Sequence, residues 1–141
     1  MPSDTQTAPI SKASLWAGRI MSALVILFLA FDVVLKFVKP APAPVVETFA
    51  RLGWPLILSP VLGTILLVST ALYVIPNTSA LGAILLTGYL GGAVATHLRV
   101  GDPLFSHVLF PTYLGVLLWG GLYLRERRLR ALIPLRTPKA T

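Results

Sequence analysis

Four stretches of this sequence, Trp16 to Val38, Trp54 to Ile75, Ala80 to Leu98 and Leu104 to Leu124, are apolar almost throughout. Each is close to the ~20 residues that a helix needs to cross a hydrocarbon core about 30 Å thick. No other feature limits the fold as strongly. None of the four alternates polar and apolar residues, so the strands of a membrane barrel are not expected. A backbone in lipid must satisfy its hydrogen bonds within itself, and four spans joined by short connections therefore predict an all-α fold, an integral membrane four-helix bundle over residues 15–124. Residues 1–14 are polar and aperiodic, which predicts a disordered tail.

Composition agrees. The chain is 55% hydrophobic with 12% charged residues and a mean hydropathy of +0.80, whereas charged residues make up about a quarter of an ordinary soluble domain. The first span is longer than the roughly 7 to 15 residues of a signal-peptide core and carries Asp32 and Lys36, so it is read as a span and not as a cleaved leader. The chain has no cysteine, which excludes disulfides, thiolate metal sites and any dithiol relay of its own.

The net charge of +7 has a membrane explanation. Residues 125–141 form a basic tail in which Leu129, Leu132 and Ile133 recur at helical spacing among arginines, the pattern of a short helix on anionic headgroups. No aromatic or glycine-rich binding motif accompanies the arginines, so no nucleic-acid partner is expected. Lys12, Arg19 and the tail cations flank one side of the spans, against Lys36, Lys39, Arg51 and Arg99 on the other. The positive-inside rule then places both termini in the cytoplasm, and the expected location is the plasma (inner) membrane.

Pro76 ends the second span, and Asn77 or Thr78 is expected to cap the third. The first connection, KPAPAPVVETFARLG, is expected to be extended and then to fold as a cap over one end of the bundle. Gly88 and Gly92 in the third span are spaced for close helix packing, with His97 on a different face.

Both histidines and most of the isolated acids fall on the outer side. Asp32 precedes Lys36 by four residues on one helical face, the favourable order for an ion pair, about 9 Å along the helix from Val38. Glu47, Arg51, His97, Arg99, Asp102 and His107 emerge on the same side and are candidates for one polar patch at the mouth of the bundle. The plainer expectation is capping, with Asp102 before Pro103 starting the fourth helix and Arg99 completing the third. The spacing His97-x4-Asp102-x4-His107 matches no standard ligand signature, so no metal site is expected, and Ser106 beside His107 does not make a triad.

The run LYVIPNTSALGAILLTGYLGGAVATHLRVGDPLFSHVLFPTYLGVLLWGGLYLRERRLRALIPLR, with DVVLKF in the first span and LGWP before the second, resembles the DoxX-like family of small four-helix membrane proteins. The resemblance covers nearly everything from Trp16 to Arg136. Relatives named by it include the membrane subunit of a thiosulfate:quinone oxidoreductase and a partner in a membrane-associated oxidoreductase complex, with more distant members in amine-dehydrogenase maturation and cargo export. Carried over by position, the family's recurrent residues fall on Lys36, Tyr89, Gly91, Gly92, Thr96, His97, Arg99, His107, Pro111 and Trp119.

These readings leave three functions open. One is a non-catalytic membrane component that binds a quinone or another amphipathic small molecule, with no tightly bound cofactor, or that anchors an oxidoreductase partner. His97 and Arg99 would then donate hydrogen bonds to a carbonyl-bearing head group. Another is a small membrane enzyme in which His97, Asp32 or Glu47 moves a proton on a lipophilic substrate, as an isomerase requires. The last is a lipid or solute carrier, for which four short helices leave little room without homo-oligomerisation.

Overall fold

The computed structural model describes residues 9–133, all helices and connections, with no strand among them. Four helices are long and apolar enough to cross a membrane, as expected from the sequence. α1 (Lys12–Phe37) begins under the cap of Ser11, whose hydroxyl accepts from the Ser14 amide at 3.2 Å. The bundle therefore starts three residues before the expected boundary at residue 15, and residues 1–8 of the tail lie outside the described residues. The helix stops where Pro40 approaches, because the residue before a proline is pushed out of the helical region.

Prolines also shape the second and fourth spans. A 3-10 turn (Leu56–Leu58) precedes α3 (Ser59–Val74), which has Pro60 in its first turn. α4 (Ser79–Arg99) follows after four residues. Thr78 stands at its N-cap position, but the hydroxyl donates backwards to the Leu72 carbonyl at 2.8 Å. It thus closes the end of α3, where the carbonyls are the orphan groups, and the expected side-chain cap on α4 is absent. The fourth span is divided: a π-helical turn (Leu104–Val108) leads into α5 (Phe110–Arg125). The Val108 amide returns to Pro103 and the Leu109 amide to Leu104. Pro111, with no N–H to offer His107, prevents a regular ladder from continuing through this point.

The long helices form a ring. α1 lies between α3 and α5, and α4 closes the ring against the same two from the diagonal position. Val25, Leu29, Leu66, Leu86, Leu118 and Leu122 fill the centre together with Tyr73, which is fully buried. The Tyr73 hydroxyl donates to the Leu118 carbonyl at 2.8 Å and meets the Ser22 hydroxyl at 3.0 Å. Arg125 Nε reaches the same Ser22 oxygen at 3.2 Å, its guanidinium over the Tyr73 ring. Leu27, Phe31, Ile84 and Val116 point outward, as a lipid-facing surface requires.

Close helix approach does not use the glycines expected from spacing. A Cβ on Gly82 would stand 2.2 Å from the Tyr73 amide nitrogen, and one on Gly18 would stand 2.8 Å from the Gly121 carbonyl. Those contacts set α3 against α4 and α1 against α5. Gly88 and Gly92, expected to mediate packing, have nothing within 4 Å of where a Cβ would be. They lie on the outward face of α4, because the inward face is already occupied by Gly82, Leu86 and Leu90.

Two short helices complete the ends. α2 (Ala43–Leu52) covers one end as expected, burying Phe49 and ending at Gly53 in the left-handed region at φ +71. α6 (Arg127–Leu132) sits at the other end. Arg130 fastens it, donating to the carbonyls of Tyr123 and Leu124 and to the Ser14 hydroxyl, each at 2.7 Å. Leu129 packs inward while Leu132 and Ile133 stay exposed, so only part of the expected apolar stripe is left for the membrane. The rest of the tail lies outside the described residues.

Candidate functional site

The end of the bundle under α2 collects both histidines and most of the candidate side chains. α4 runs out at Arg99, Gly101 turns the chain with φ +72, and the Asp102 amide returns to the His97 carbonyl at 3.1 Å. This tight reversal brings the Asp102 carboxylate back onto its own helix. One oxygen meets His97 Nδ1 at 2.5 Å and the other accepts from Arg51 Nη1 at 2.6 Å. Both oxygens are thus committed, one to α4 and one to α2. Of the two expected capping roles one fails: Asp102 makes no cap on the following turn, whose N-cap is Pro103, whereas Arg99 does close the last turn of α4 and also donates from Nη2 across to the Leu52 carbonyl at the end of α2.

The Asp102 side chain is almost wholly covered. Its carboxyl is held below the ordinary aspartate value of about 3.9, first by the His97 hydrogen bond and then by the charge of Arg51, against a desolvation that works the other way. The anion is the working state. His107, carried by the π-helical turn, places its ring 6.0 Å from that of His97 and has the Ser106 hydroxyl 2.8 Å from Nδ1.

A second polar pair sits on α1. Lys36 Nζ and Asp32 are 2.6 Å apart on one helix face, and the Ser59 hydroxyl donates to the Lys36 carbonyl at 3.0 Å. The nearly covered ammonium answers the carboxylate within the same helix, the local neutralisation that a charge in lipid requires. Tyr89 is half-buried against the core on α4.

The sequence candidates therefore separate. Arg51, His97, Asp102 and His107 come together, with Arg99 one bond away through Leu52. Asp32 and Lys36 form a separate pair on α1, and Tyr89 packs against the core on α4. Thr96 spends its hydroxyl on the Gly92 carbonyl of its own helix at 2.8 Å, and Glu47 is exposed on α2 with no ion pair among the described residues. No group of three or more His, Cys, Asp or Glu among the described residues is arranged to hold a metal.

Below the cluster runs a groove of about 380 Å³ between α4 and α5, lined almost entirely by apolar surface. Leu90, Gly91 and Val94 form one wall, and Pro111, Gly115 and Trp119 the other. Its inner end is braced by the Trp119 indole N–H, which donates to the Thr87 hydroxyl at 2.8 Å. At its outer end Val94 precedes His97 by three residues, about 4.5 Å along the helix. Apolar periodicity cannot distinguish a groove wall from any lipid-facing row, so this feature was hidden from composition and spacing. Gly91, Pro111 and Trp119 were reached in sequence only through the family resemblance.

A family model described as the DoxX-like family matches residues 20–121, which include the groove and every residue of the His97 cluster. The chain belongs to the DoxX-like family. No curated protein and no solved structure matches it significantly. Within this DoxX-like chain, then, the geometry itself must carry any statement about ligands. An imidazole pair beside an ionised carboxylate can exchange hydrogen bonds or protons with a polar group, and the groove can hold an apolar chain.

Proposed function

We propose that this DoxX-like protein is a non-catalytic membrane component that binds a quinone or a similar amphipathic small molecule, with its head group at His97 and His107 and its apolar chain in the groove between α4 and α5. The single observation that carries the reading is this juxtaposition: a covered, hydrogen-bonded polar cluster stands directly beyond the outer end of an apolar groove. Purely structural polar groups in a bundle end do not call for a groove, and lipid-facing grooves do not call for two histidines. Arg99 does not serve as a donor to the ligand in this reading. It holds α2, the cover of the site, through the Leu52 carbonyl. The same component, set in the plasma membrane with both termini in the cytoplasm, is placed to deliver its ligand to an oxidoreductase partner.

The test is mass spectrometry of small molecules retained by the protein after purification in mild detergent, from the parent chain and from His97→Ala. The parent chain should retain one lipophilic compound in near-stoichiometric amount, and the variant should lose it while remaining folded, its melting temperature lowered only by the lost hydrogen bond to Asp102. Equal retention by both would overturn the reading, as would a loss of binding that merely follows a loss of folding.

A second reading has one observation in its favour. The His97–Asp102 pair is the arrangement of an imidazole base held by a carboxylate, as proton transfer on a lipophilic substrate requires. Conversion of the retained compound by the isolated protein would decide for the enzyme.

A further inference from the structure

The hydrogen bonds that fix His97 also fix which chemistry its free edge offers. Asp102 is an acceptor on both oxygens, one taken by Arg51, so the contact at 2.5 Å obliges His97 Nδ1 to carry the proton. In a neutral imidazole the proton on one nitrogen leaves a lone pair on the other. His97 Nε2 has no partner among the described residues, yet it is not sealed from its surroundings. The groups facing His97 are Asp102 from its own turn, His107 from the π-helical turn, and Arg51 from α2 behind Asp102. None of them offers Nε2 a proton within the described structure.

We propose that His97 presents Nε2 as a hydrogen-bond acceptor, so that the site selects a head group bearing a hydroxyl, of the phenol or enol class, over the same head group without one. This rests on the ligand site proposed above and narrows it: the reduced, hydroxyl-bearing form of a quinone-like compound is favoured over the carbonyl form while the imidazole is neutral. Asp102 is a positioning residue here, acting through the tautomer that it imposes.

Two measurements test the inference. The chain has two histidines, so 15N-imidazole NMR, assigned with a His107→Gln variant, resolves His97. A neutral ring should show the Nδ1–H tautomer, and an Nε2–H tautomer would overturn the proposal. The second measurement is equilibrium retention, in detergent and at a pH where that spectrum reports a neutral ring, of 4-octylphenol against 4-octylanisole, which differ by one methyl on the oxygen. The phenol should bind about tenfold more tightly, the scale of one made hydrogen bond against one lost. Asp102→Asn, whose amide can donate to Nδ1 and so turn the tautomer over, should bring the two probes to near equality. Equal binding by the parent chain overturns the hydroxyl selection and leaves the amphipathic-ligand reading standing, whereas binding of neither probe overturns both.

Discussion

Asp102 joins three segments of chain through one carboxylate, and its replacement should be felt in all of them. Its folded pKa is depressed, so by linkage the stability it contributes is fully present above the unfolded value of about 3.9 and is lost as the pH falls through the lower folded value. A melting curve followed downward in pH should therefore show a loss of stability in the acid range that is absent from Asp102→Ala. Coincident acid profiles for the two chains would show that the carboxylate is not engaged in solution. The residue is also where sequence reasoning was least able to choose. Asp102 before Pro103 is a standard helix-start signal, and only the turn at Gly101, which swings the carboxylate back to His97, removes it from that role.

At the scale of elements, the contacts between helices decide which small residues matter. A methyl added at Gly82 would meet the Tyr73 backbone at 2.2 to 2.5 Å, and no side chain can move to relieve it. Gly82→Ala should therefore cost at least the ~1 to 3 kcal/mol of ordinary overpacking, read as a lower melting temperature in detergent. Gly92→Leu should stay within about 0.5 kcal/mol, since the site is open. A reversed order would mean that α4 packs on a second copy through Gly92 and that α3 and α4 adjust around Gly82. The four spans were legible because length and hydropathy are read by counting. Which of the glycines in α4 turns inward was not, because the helix is apolar on every side and its amphipathicity gives no direction. The charges were more informative than the apolar faces: Asp32 and Lys36 pair as their spacing demands, and α2 covers the end of the bundle that its polar residues indicated.

For the whole molecule the distribution of cations predicts how the bundle stands in its membrane. The end formed by Lys12, Arg19 and α6 carries, among the described residues, Lys12, Arg19, Arg125, Arg127, Arg128 and Arg130, with Glu126 as its acidic residue. The opposite end carries Lys36, Lys39, Arg51 and Arg99, but Lys36 is neutralised by Asp32 and Arg51 by Asp102. Six cations at the α6 end thus face four here, and of these four Lys39 and Arg99 have no ion pair among the described residues. The α6 end should therefore be cytoplasmic and the His97 cluster should open to the outer side. The absence of native cysteine allows a direct check with single cysteines at Ser11, Asn77, Glu47 and Gly101. A membrane-impermeant thiol reagent applied to intact cells should label Glu47→Cys and Gly101→Cys, and should reach Ser11→Cys and Asn77→Cys only after permeabilisation. The converse pattern would invert the bundle, place the proposed ligand head group at the cytoplasmic surface, and move the expected oxidoreductase partner to that side with it.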